Sequence, residues 1–173
     1  HLSGINLMFR VFLLLFGVMF FMTQIETLFF NAAIQMPLNV VKATVASGAL
    51  ATLSVAILAV FYREKLGPPR LRTRWVDPRR NITKLLILAA IYVIFYFVFG
   101  YYLAWQVPGL REFYTGTTDI LPFGSHMAGV LANDIALPVF QIVRGLMWAG
   151  LGYAAIAALG NIRLLERAIL VGL

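Results

Sequence analysis

Long apolar runs alternate with short polar segments along this chain. Four of the runs, residues 5–30, 38–61, 85–105 and 137–159, are long enough to cross a membrane. A transmembrane helix needs about 20 consecutive and predominantly apolar residues to match the thickness of the hydrocarbon core. The pattern therefore predicts four membrane-spanning helices.

A polar cluster interrupts the first run. Residues 11–22 contain no polar side chain, but Thr23, Gln24, Glu26 and Thr27 follow. A helix that ended at residue 22 would offer too short an apolar stretch, since a span needs about 20 residues. We therefore expect the helix to continue to residue 30, which places Glu26 inside the membrane, and to end in a turn at residues 31–37.

The second run carries small residues at four-residue spacing, namely Ala43, Ser47 and Ala51. Small side chains at this spacing let two helix backbones approach closely inside a bilayer. The pattern predicts that these three residues contact another helix, and that this helix is the best buried of the four.

The third run is rich in aromatic residues. Most of them are expected to face lipid, and Tyr101, Tyr102 and Trp105 are expected to lie at the membrane–water interface, where such rings are enriched. A stacking platform for a chromophore or a quinone is the alternative interpretation. In the following loop, 106–136, Pro108 and residues 126–131 predict short helices that pack on the bundle.

Composition places the whole chain in a membrane. Hydrophobic residues make up 61% of the sequence, charged residues 12%, and the mean hydropathy is +0.87. Such a chain has too few polar groups to cover its apolar surface in water. We predict an all-α, polytopic transmembrane helix bundle that forms a single domain over residues 1–173. Residues 168–173 resemble the start of a fifth span, so a longer chain is expected.

The distribution of charge predicts on which side of the membrane each loop lies. Eight of the fourteen Lys and Arg residues lie in the loop 63–84. Clustered basic residues remain on the cytoplasmic side, so the N-terminus and this loop should be cytoplasmic and residues 106–136 should be outside. Because anionic headgroups are the nearest partner for the excess positive charge, no nucleic-acid binding is expected. The arginines expected to contact headgroups or a partner protein are Arg70, Arg72, Arg74, Arg79 and Arg80.

Sequence signatures of catalysis are missing. The chain has no cysteine, and its two histidines, His1 and His126, lie far apart, which disfavours disulfides, thiolate sites, zinc and haem. Nucleotide-binding, nucleophile-elbow and metalloprotease motifs do not occur. The sequence therefore gives no indication of an enzyme, a metal or a particular cofactor.

Two sets of polar residues remain inside the spans. One set is Glu26 with the neighbouring Thr23 and Thr27. The other set is Gln141, Arg144 and Trp148, whose spacing puts them on one face of a helix. Ionisable groups within a span are candidate functional residues because they are costly in hydrocarbon. A structural ion pair between Glu26 and Arg144, at similar predicted depth, is the competing interpretation.

Two segments resemble a known type of protein. They are FGYYLAWQVPGLREFYTG at 99–116 and LPVFQIVRGLMW at 137–148. The chain resembles an uncharacterised family of bacterial polytopic inner-membrane proteins. The resemblance implies about six helices and no assigned activity.

Two functions fit these patterns. One is a non-catalytic structural or accessory subunit of a larger membrane assembly, with the lipid bilayer and other membrane subunits as partners. The other is a transporter or small-ligand-binding protein whose polar site includes Glu26, Gln141 and Arg144. A closed, dry contact around these residues favours the subunit, and a water-filled pocket favours transport.

Overall fold

A computed structural model describes residues 4–65 and 78–159 of the chain. Within that part all regular structure is helical, as predicted. Four stretches are long and apolar enough to cross a membrane, so the chain has the character of an integral membrane protein. The arginines at 70, 72 and 74 and the possible fifth span lie outside the described residues. In chain order the elements are α1 (Gly4–Phe16), a π-helical turn (Gly17–Phe21), α2 (Met22–Phe29), α3 (Asn31–Ile34), α4 (Leu38–Lys65), α5 (Pro78–Tyr102), a 3₁₀ turn (Ala104–Gln106), α6 (Pro108–Thr115), α7 (Phe123–Asn133) and α8 (Ala136–Leu159).

The first span continues through its polar cluster, which confirms that prediction. Its helical path runs from Gly4 to Phe29 and includes the π-helical turn, which the sequence did not indicate. The hydroxyl of Thr27 donates to the carbonyl oxygen of Thr23 at 3.1 Å. Internal hydrogen bonds of this kind make polar side chains tolerable in hydrocarbon.

The chain divides into two compact units by its internal contacts. The first unit is His1–Asp77 together with Leu151–Leu173, and the second unit is Pro78–Gly150. In the first unit α1 and the π-helical turn pack on α4. Gly48 allows the closest approach, since a β-carbon there would overlap the ring of Phe20. Gly48, Thr52 and Ala56 are buried at four-residue spacing, and we call them the buried seam of α4.

The small residues predicted to form this contact do not form it. Ala43, Ser47 and Ala51 are all exposed, and we call them the exposed stripe of α4. The spacing of the packed residues was predicted correctly, but within the described part of the chain the buried seam makes the contact. Contact of the exposed stripe with a helix outside that part stays a prediction. Gly48, Thr52 and Ala56 repeat the four-residue spacing five positions further along, and glycine permits closer contact than alanine or serine.

The expectation that the second span is the best buried is also wrong. Of its most apolar stretch 17% is buried, compared with 22% for the fourth span. The buried residues of the second span are Val41 and the buried seam, and the other described side chains of this helix are half-buried or exposed.

The second unit is built from α5, α6, α7 and the first part of α8. α6 begins with Pro108 in its first turn and ends at Gly116, whose φ of 73° is left-handed and favours glycine. Both short helices predicted in the loop 106–136 are present. The prediction that the loop is packed is confirmed, because Arg111, His126 and Val130 are buried.

One aromatic residue differs from the prediction for the membrane interface. Tyr102 is exposed, as an interfacial ring would be, but Trp105 is only 2% exposed. Its indole ring lies against Gly100, where a β-carbon would come within 2.9 Å of Cζ2. Trp105 is therefore a core residue of the loop.

Candidate functional site

The polar face predicted on α8 is present and inward-facing. Gln141 and Arg144 are buried, and Trp148, one turn further, is half-buried. The hydroxyl of Tyr92 on α5 donates to Oε1 of Gln141 at 3.2 Å. Nε2 of Gln141 has no hydrogen-bond partner within the described part of the chain. An unpaired buried amide donor is costly, so this atom is a place where a further acceptor would stabilise the protein.

Gly145 brings this polar face against α5. A β-carbon on Gly145 would lie 2.9 Å from the carbonyl oxygen of Ala89 and from Cδ1 of Tyr92. Only glycine allows this separation, since real β-carbons essentially never approach so closely. The close helix contact explains why Tyr92 reaches Gln141.

Glu26 lies in α2 and is half-buried. It belongs to the first compact unit, whereas Gln141, Arg144 and Trp148 belong to the second. The pairing of Glu26 with Arg144 therefore stays a prediction. Arg79 and Arg80 lie in the first turn of α5, and their proposed headgroup contacts also stay predictions.

A second polar site, which the sequence pattern did not reveal, is centred on Arg111. Its guanidinium donates from Nε to the carbonyl oxygen of Trp105 at 3.0 Å, from Nη2 to that of Gln106 at 2.8 Å, and from Nη1 to that of Thr118. The side chain is only 4% exposed. We call this arrangement the Arg111 clamp. It satisfies a buried cation with backbone oxygens and ties the two ends of α6 together.

Aromatic rings cover the clamp. The imidazole of His126 stacks on the indole of Trp105, with ring centroids 5.1 Å apart and planes at 23°. Tyr101 meets the same imidazole edge-on at 5.2 Å, and Tyr114 lies 4.9 Å from Trp105. The hydroxyl of Tyr101 donates to the carbonyl oxygen of Leu121 at 2.8 Å. Helices α6 and α7 are thereby attached to the end of α5.

The surroundings of His126 disfavour its charged form. It is 1% exposed, and its Nε2 has no hydrogen-bond partner among the described residues. Burial lowers the pKa of His126, and the positive charge of Arg111 lowers it further. Burial removes the water that would solvate the imidazolium, and the guanidinium of Arg111 repels its charge.

Little in the sequence marks this site. Arg111 is the single Lys or Arg residue of the loop 106–136, and that isolation is the one available signal, because a permanently charged side chain among apolar residues needs acceptors. Backbone carbonyls are not visible in a residue pattern. Among the described residues no three or more His, Cys, Asp or Glu side chains form a group that could hold a metal ion.

Comparison with models of protein families, with curated proteins and with solved structures finds no match to this chain. The family resemblance of the segments 99–116 and 137–148 therefore stays a prediction.

Proposed function

We propose that the chain is a non-catalytic structural or accessory subunit of a larger membrane assembly. The observation that supports this proposal is the exposed stripe of α4. The buried seam of the same helix already supplies the contact within the chain. The exposed stripe is a second surface of the same kind, and its three residues are exposed within the described part of the chain.

The two surfaces lie on different sides of α4. At 3.6 residues per turn, the centres of Ala43/Ser47/Ala51 and of Gly48/Thr52/Ala56 are about 140° apart. Small side chains on a lipid-facing surface leave shallow grooves that lipid fills poorly, whereas a second helix packs into them closely. The stripe thus fits a transmembrane helix of another subunit.

Location and orientation are part of the same proposal. We place the chain in the bacterial inner membrane, with the N-terminus and the loop 63–84 in the cytoplasm, on the charge asymmetry and the family resemblance. The basic loop would then contact anionic headgroups or a soluble face of the assembly.

The proposal is tested by isolating the chain from its native membrane in mild detergent. Replacing Ser47 with Phe should dissociate the assembly, because a large side chain blocks close helix approach. The matched control is Leu53→Phe, since Leu53 is exposed on the same helix but lies about 120° away. An assembly that is insensitive to Ser47→Phe, or that never forms, contradicts the proposal.

A second candidate function is small-ligand binding or transport at the polar face of α8. The unpartnered Nε2 of Gln141 favours it, because a ligand carboxylate or carbonyl would supply the missing acceptor near the guanidinium of Arg144. Replacing Gln141 with Leu would then abolish ligand binding while leaving assembly intact, whereas Ser47→Phe would have the opposite effects.

A further inference from the structure

The short helices between α5 and α8 are attached to α5 through a stacked imidazole. His126 on α7 lies between Trp105 of the 3₁₀ turn and Tyr101 at the end of α5. We propose that this loop is an acid-releasable cap: it is closed on α5 while His126 is neutral and opens when His126 is protonated.

The charges around His126 support this inference. From α6 the imidazole experiences the guanidinium of Arg111, which is already bound by three carbonyl oxygens. From α5 and the 3₁₀ turn it meets Tyr101, whose hydroxyl donates to Leu121, and Trp105, which carries no charge. The loop's three carboxylates, on Glu112, Asp119 and Asp134, are all exposed. The charge that acts on the buried imidazole is therefore positive.

One contact acts in the opposite direction. An indole face attracts a cation, so Trp105 would stabilise an imidazolium to some extent. Burial and the repulsion by Arg111 oppose this attraction, and their combined effect lowers the pKa of His126 below its ordinary value. A proton on Nε2 would also lack an acceptor within the described residues.

The direction of the pH effect follows from linkage. An open loop exposes His126, which then titrates near the ordinary pKa of about 6.5. The closed loop binds that proton less readily, so acid favours the open form. The closed form keeps its full stability above about pH 6.5 and loses stability as the pH falls below that value.

The experiment uses engineered thiols, because the chain has no cysteine of its own. Val130→Cys places a thiol at a fully buried position of α7, and Ala132→Cys places one at an exposed position of the same helix. The maleimide labelling rate of Val130→Cys in detergent is divided by that of Ala132→Cys, so that the intrinsic pH dependence of the thiol cancels. When the pH is lowered from 7.5 to 5, this ratio should rise several-fold. The largest possible rise is about 30-fold, because His126 in the open loop has a pKa of about 6.5.

The decisive control is the same measurement with His126→Phe, which keeps an aromatic ring on Trp105 but cannot bind a proton. Its labelling ratio should not change with pH. A ratio that is flat with His126 present, or that rises equally with Phe at position 126, overturns the proposal. If Val130→Cys fails to fold, hydrogen exchange over residues 123–133 of the unmodified chain, corrected for intrinsic rates, distinguishes the same two outcomes.

Discussion

His126 of α7 stacks on Trp105 of the 3₁₀ turn that follows α5. The two ring centroids are 5.1 Å apart, and both side chains are almost completely buried. Trp105 also provides one of the three carbonyl oxygens of the Arg111 clamp. Trp105 therefore takes part in both arrangements, through its indole in the stack and through its backbone carbonyl in the clamp.

The titration of His126 gives the first prediction. Burial and the charge of Arg111 lower its pKa, so its imidazole resonance should have a titration midpoint below about 6.5. The chain has one other histidine, His1, and the His126→Phe variant assigns the two signals in an NMR titration. A midpoint at or above 6.5 would show that the imidazole is not held in the neutral form.

The Arg111 clamp gives the second prediction. Arg111→Lys keeps the positive charge, but an ammonium group cannot reproduce the fork that reaches three carbonyl oxygens. We expect the free energy of opening of the loop to fall by about 1.5–3 kcal/mol for each charge-assisted hydrogen bond that is lost. Hydrogen exchange of residues 108–133 measures this change.

Glu112→Gln is the control for that experiment, since Glu112 is adjacent on α6 and exposed. Exposed substitutions of this kind usually change stability by less than about 0.5 kcal/mol. Equal effects of the two substitutions would mean that the clamp does not stabilise the loop.

Gly48 gives the third prediction. Gly48→Ala introduces a β-carbon into the ring of Phe20, and this overpacking should cost about 1–3 kcal/mol. Gly150→Ala is the matched control, because Gly150 is also helical but a β-carbon added there would have no atom within 4 Å. It should leave stability unchanged or raise it by up to about 1 kcal/mol. Unfolding in detergent that ranks the two variants in the reverse order would contradict the packing of the π-helical turn on α4.

Topology gives the fourth prediction. Single cysteines at Thr73 and Asp119 should differ in their reaction with a membrane-impermeant reagent applied to intact cells. The basic loop predicts that Asp119→Cys is labelled and that Thr73→Cys is labelled only after the membrane is opened. Labelling of position 73 alone would reverse the orientation.

The spans and the short loop helices could be predicted because they depend on patterns that are local in sequence. Apolar run length indicates the four spans, and Pro108 marks the start of α6. The need for about 20 residues in a span was enough to predict that the first helix continues past Glu26.

The packed faces and the loop site could not be predicted in the same way. Ala43/Ser47/Ala51 and Gly48/Thr52/Ala56 have equivalent spacing, and the position of Phe20 decides between them. The acceptors of Arg111 are backbone carbonyls, which every residue carries, so no residue pattern distinguishes them. Trp105 has the sequence context of an interfacial residue, and only its burial and its contacts with Gly100 and His126 show that it belongs to the core of the loop.

Photo-crosslinking in the native membrane tests the central claim most directly. A photoreactive side chain at Ser47 or Ala51 lies on the exposed stripe of α4, and one at Leu53 lies on a different exposed side. The account predicts one discrete crosslinked product from the two stripe positions, containing a second membrane protein, and no such product from Leu53. Crosslinks to lipid alone at all three positions would contradict the account.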